Sequence, residues 1–215
     1  MGHREDLLVG AKKCLYEKGY ARTTARDIVA ASGANLASIG YHYGSKEALL
    51  NKALIEAMSE WGEELAQAGS TSIDPDASPM DRFEGVWDQM IERFPHNRQI
   101  WAANFELMAQ IDRLPEVREV LVKTQPEGRT GLAALFLGVD EDTLDEKTGQ
   151  VAGSFYQALL LGVMMQHMLD PRTAPTGHDV VEGLRAAAEH TGLTGPGQDM
   201  SSTSPRLRPG VPPTG

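Results

Sequence analysis

The chain has 215 residues and a single cysteine, Cys14, which excludes an intramolecular disulfide and a multi-cysteine zinc cluster. It has no run of 18 purely apolar residues. The nearest stretch, Val151 to Leu169, is interrupted by Ser154, Gln157, Gln166 and His167, and reads as a buried helix rather than a membrane span. No charged-then-apolar leader opens the chain, because Glu5, Asp6, Lys12 and Lys13 break up the first segment. A cytoplasmic location with no membrane partner is the expectation that follows. No HExxH, no Glu-x-x-His pair, no P-loop and no GxGxxG occurs, and no Ser/His/Asp set stands out, so neither an enzyme nor a cofactor or metal is expected. Positive charge is scarce as well: 20 Lys/Arg against 30 Asp/Glu give a net charge of −10, which taken whole argues against a nucleic-acid partner.

What is there reverses that last argument. Residues 1–50 hold seven Lys/Arg and five Asp/Glu (+2), whereas the remainder holds 13 and 25 (−12). A mildly basic head on an acidic body turns the head towards phosphates, although a neutral N-terminal domain on an ordinary acidic protein would give the same totals. The 41% hydrophobic content suffices for a sizeable core.

The chain is organised around residues 23–50. Residues 5–18 form a first helix on Leu8, Ala11, Cys14 and Leu15, with Gly19 as its stop and Cys14 as a packed thiol. Thr24 and Asp27 make a capping box that starts a second helix, and Gly33 breaks it. Asn35 caps a short third helix through Ile39 and His42, Gly44 ends it, and Ser45 opens a long fourth helix at Lys46. Helix, glycine turn and short helix make a helix-turn-helix, whose second helix can enter a DNA major groove.

At GYARTTARDIVAASGA and IGYHYGSKEALL the sequence resembles the TetR family of one-component transcriptional regulators. The resemblance covers roughly residues 5–50. It implies a homodimeric, all-α repressor with a helix-turn-helix head (1–50), a helical ligand-binding and dimerisation body (51–192) and, on composition, a Gly/Pro/Ser/Thr-rich disordered tail (193–215). Helix starts and short hydroxyls suit phosphate oxygens, which selects Thr23, Thr24 and Lys46; by position, Tyr41 and Lys46 match family residues that grip the DNA backbone. His42 either contacts DNA or only caps carbonyls at its helix end. Base reading falls to Asn35, Leu36, Ala37 and Ser38. Here the sequence departs from the family, with Ala37 where Gly is common and Gly40 where Tyr is common. No Arg, Gln or Lys stands on this helix for bidentate reading.

Residues 46–66 are expected as a long amphipathic helix linking head to body, followed by a loop at 69–79. Ser78 and Asp81 cap the next helix, Pro95 is expected to end it, and residues 98–111 form another. Pro115 opens a helix that Pro126 and Gly128 are expected to kink. Trp87, Met90, Trp101, Phe105 and Met108, with Asn104 as a polar contact, could line a cavity for an apolar or amphipathic effector; each alone also reads as ordinary core. Residues 144–169 form the longest body helix. Its Ser154, Ala158, Gly162 and Gln166 recur every four residues, and with Val181, Leu184 and Ala188 of the last helix they are candidates for a dimer interface; an intramolecular bundle is the alternative. The expected function is a ligand-responsive regulator, most readily a repressor, that binds double-stranded operator DNA as a homodimer. The alternative is a small-molecule carrier or enzyme built on the helical body with a vestigial head.

Overall fold

A computed structural model describes residues 3–72 and 77–192, and all of its regular structure among those residues is helical. In chain order the helices are α1 (His3–Lys18), α2 (Ala25–Ser32), α3 (Leu36–Tyr43), α4 (Lys46–Ser72), α5 (Pro79–Ala109), α6 (Pro115–Leu137), α7 (Glu146–Leu169) and α8 (Gly177–Thr191). None of them is long and apolar enough to cross a membrane. The tail expected to be disordered, 193–215, lies outside the described residues.

The caps form as the sequence dictates. Thr24 Oγ1 accepts from the Asp27 amide at 3.2 Å, and Asp27 accepts from the Thr24 amide at 2.9 Å, so the box at α2 is closed. Asn35 Oδ1 accepts from the Ser38 amide at 3.0 Å, and Ser45 Oγ from Ala48 at 3.0 Å. Gly33 ends α2 at φ 69°, the left-handed conformation that lets its amide close on the Val29 carbonyl and aims the chain into α3. Thr176 and Asp179 repeat the box at α8.

The first core gathers Leu7, Ala11, Cys14 and Leu15 of α1 with Ile28, Ile39, Leu49, Leu50 and Leu54. It also takes Ile100, Ala103 and Leu107 from α5, so the head is not closed off from the rest of the chain. Cys14 is buried there, and burial pushes its thiol upward, which keeps it protonated and inert. Further along, Trp61 of α4 meets Trp101 of α5 edge-on at 5.1 Å. A second aromatic layer joins Phe83, Trp87, Phe136 and Tyr156, with centroid separations between 4.5 and 6.2 Å. Such pairs add about 0.5–1.5 kcal/mol each beyond the area they bury. α6 and α7 run against each other so closely at Gly153 that a Cβ there would lie 2.1 Å from the Arg129 carbonyl oxygen.

Two boundaries differ from expectation. α4 runs to Ser72, nearly two turns past its expected end at residue 66, because an established helix gains a hydrogen bond with each residue added. Pro95 does not end a helix: α5 continues through it to Ala109. Proline forfeits one bond and crowds the preceding turn. Here it sits on the exposed side, while Phe94, Ile100 and Trp101 hold the helix from the buried side. α6, expected to continue beyond Pro126, runs through it to Leu137 and is closed by Gly138. Past Val181, α8 continues to Thr191, with Arg185 paired to Glu182 one turn earlier.

Candidate nucleic-acid interface

The turn before α2 is held by side chains that the sequence offered as phosphate contacts. Thr23 is only 1% exposed, and its hydroxyl donates to the Gly19 carbonyl at 2.7 Å and the Cys14 carbonyl at 3.3 Å. Its side chain locks the end of α1 to the turn and is turned away from the surface. Thr24 is exposed, with its hydroxyl in the capping box. Lys18 donates to Asp27 at 2.6 Å. That ammonium first, and the Thr24 groups next, hold the Asp27 carboxyl well below the usual carboxylate range, and the same contact raises Lys18. A fixed anion thus sits in the first turn of α2, where the helix dipole favours it. Lys46 reaches back to the Thr23 carbonyl at 3.2 Å and pairs with Glu47 at 3.3 Å. It ties α4 to the turn.

α3 packs on α1, α2 and α4 and leaves its other side free. Asn35, Leu36, Ala37, Gly40 and Tyr41 face outward, Tyr41 at 87% exposure. Ser38, expected among the base readers, is turned inward at 9%. His42 is half-buried and stands edge-on to Tyr41 at 4.8 Å. Tyr43 donates from its hydroxyl to the Arg4 carbonyl at 2.7 Å and packs against the head core. The selection by hydroxyls and helix starts passed over Arg22 and Arg26, which are exposed beside the first turn of α2. Their charge next to Thr24 was the available signal.

The residues offered for an effector do not yet form a cavity. Trp87, Met90 and Trp101 are closed core, Asn104 and Phe105 are half-buried, and Met108 is exposed. A crevice of about 120 Å³ lies between the α1–α2 turn and α5, lined by Lys18, Gly19, Tyr20, Gln99, Ala103 and Glu106. An open groove of about 540 Å³ follows α7 at Lys147, Val151, Phe155 and Tyr156. Neither is lined by those six residues. Two buried donors in this region have no partner, the indole N–H groups of Trp61 and Trp87. Leaving such a group unpaired costs about 1–3 kcal/mol.

Of the residues offered for a dimer contact, Ala158, Gly162 and Gln166 are exposed, Ser154 is half-buried, and Val181 is core at 1% exposure. Leu184 and Ala188, on the last part of α8, are half-buried. The pattern missed by a four-residue count is the apolar one. Val151, Phe155, Ala158, Gly162, Met165 and Leu169 all face solvent, with steps of four and three residues in alternation. That is the seam spacing of two helices packed against each other. His167, inside α7, is buried, hydrogen-bonded to the Pro175 carbonyl at 2.9 Å and packed on Phe94.

Comparisons with known proteins bear on the head and on the fold separately. The family described as bacterial regulatory proteins, tetR family, matches residues 7–53. The HTH-type transcriptional repressor AcnR of Corynebacterium efficiens is 30% identical over 70 residues, which is 33% of this chain and 37% of that protein. The chain thus matches little more than a third of that curated relative's length. Over the whole fold, a transcriptional regulator from Rhodococcus sp. Rha1 superposes with a TM-score of 0.58 at 15% identity, covering 87% of this chain and 96% of that one. The multidrug binding protein EbrR, solved with proflavin, superposes with a TM-score of 0.58 at 22% identity, covering 86% and 99%.

Proposed function

We propose, from the premise that residues 7–53 carry the DNA-binding domain of the tetR family of bacterial regulatory proteins, that the chain is a ligand-responsive repressor. It binds a palindromic operator as a homodimer and is released by a small molecule. The observation that carries the reading is α3: a helix of the matched domain that is anchored on three neighbours yet free along its outer side. A dimer would set two such helices about 34–36 Å apart, in successive major grooves. The alternating apolar seam on α7 supports self-association, since an isologous contact would bury it against its own copy.

The effector reading rests on the aromatic layers of the body. An apolar or amphipathic molecule with a hydrogen-bond acceptor would satisfy the unpaired indole of Trp61 or Trp87, and EbrR with its proflavin supports small-molecule entry into such a fold. α5 gives the route for coupling. Trp101 meets Trp61 edge-on, while the nearby Ile100 and Ala103 belong to the head core, so a ligand that displaced Trp101 would shift the support under the head. It can act only by binding two states unequally, and a hundred-fold loss of operator affinity needs roughly 2.7 kcal/mol of coupling.

The test is selection from a random duplex pool with the purified protein, together with the mass of the complex. Enrichment of a palindrome bound by two copies is expected. Binding that stays weak and indifferent to sequence, from a folded protein, would overturn the reading.

A further inference from the structure

The outward side of α3 is nearly devoid of groups that read a base by paired hydrogen bonds. Ser38 is turned inward. Asn35 is exposed, but its Oδ1 is occupied by the Ser38 amide at 3.0 Å. Bidentate reading of adenine needs the amide oxygen and nitrogen together, so a capping Asn35 offers only its NH2. What remains is Leu36, Ala37 and Gly40 in one apolar patch, with Tyr41 at its edge.

Gly40 has no purpose inside the chain. Its φ is not positive, and a Cβ built on it would meet nothing within 4 Å. A glycine within a helix is nonetheless less stable than alanine. The fold gains nothing from it. Its effect is outside the protein: the missing Cβ leaves a notch beside Leu36 and Ala37, so whatever lies against α3 can approach the helix backbone.

We propose that α3 reads thymine methyl groups. The methyl at C5 of thymine is the apolar feature of the major-groove edge, and it is the group that an apolar notch can distinguish. Leu36 and Ala37 contact the methyl, Gly40 provides the depth, and the Tyr41 hydroxyl reaches a phosphate beside it. This rests on the reading of the chain as an operator-binding protein and adds the chemistry by which the operator is chosen.

The experiment uses the full-length wild-type protein and the operator obtained from the random pool. Symmetric thymine pairs are replaced one pair at a time by deoxyuridine, which removes the methyl and leaves base pairing intact, and affinity is read by fluorescence anisotropy at fixed salt. Loss of a buried methyl corresponds to about four-fold per site, so one symmetric pair should cost about fifteen-fold. Gly40→Ala should raise the melting temperature while lowering operator affinity at least ten-fold. The higher melting temperature separates this effect from misfolding. Unchanged affinity at every deoxyuridine pair, or undiminished operator affinity in Gly40→Ala, overturns the inference and leaves the regulator reading standing. Failure to obtain any operator overturns both.

Discussion

Replacing Gly153 by alanine sets two physical effects against each other. Helix propensity alone favours alanine in mid-helix by about 1 kcal/mol. Packing opposes it. The added Cβ would lie 2.1 Å from the Arg129 carbonyl oxygen and 2.5 Å from its carbon, where ordinary contact begins at 3.4 Å. The obstacle is backbone of α6, not the tip of a flexible side chain, so it cannot swing aside. The two helices must separate by about 1.3 Å at this point, which loosens the contacts on either side of it. Overpacking of this kind costs about 1–3 kcal/mol, sometimes more, and should exceed the gain in propensity. For a chain of this length the net loss lowers the melting temperature by about 2–8 °C. The assay is thermal unfolding followed by circular dichroism, with both proteins at one concentration because self-association would shift the midpoint. Gly162→Ala on the same helix is the control: a Cβ there meets nothing within 4 Å in the single chain, so it should not destabilise the subunit. A Gly153→Ala protein as stable as the parent would refute the packing argument.

Three further outcomes are expected. Thr24→Ala removes the cap of α2 and should cost about 0.5–2 kcal/mol in denaturant unfolding, whereas an unchanged midpoint would mean the box is not formed in solution. Asp27 is held below the usual carboxylate range in the folded chain, so its stabilising contribution is fully present above the unfolded value near pH 4 and is lost as pH falls through the lower, folded value. The stability gap between the parent and Asp27→Asn should therefore stay constant from neutral pH down to about pH 4 and shrink below it; a gap that closes by pH 6 would contradict this. Phe155→Glu places a charge on the exposed α7 seam and should halve the mass seen by sedimentation while the helical signal is kept, and a dimer that survives would move the interface elsewhere.

What the sequence determined by itself is local. The capping box at Thr24 and Asp27, the stop at Gly33, the cap at Asn35 and the start at Ser45 each involve residues within a few positions of one another, so their geometry is written in the spacing. The all-α class and the order of the head helices follow from those signals. The side of a helix on which a residue ends up depends on partners far along the chain, and only the tertiary structure decided it. Thr23 and Ser38 had the right chemistry for DNA, yet docking of α1, α2 and α4 turned both inward. Pro95 looked like a helix end because propensity is a local cost, which packing of the buried side of α5 overrode. The alternating seam of α7 and the freedom of Gly40 could be recognised only once it was known which residues no other element covers.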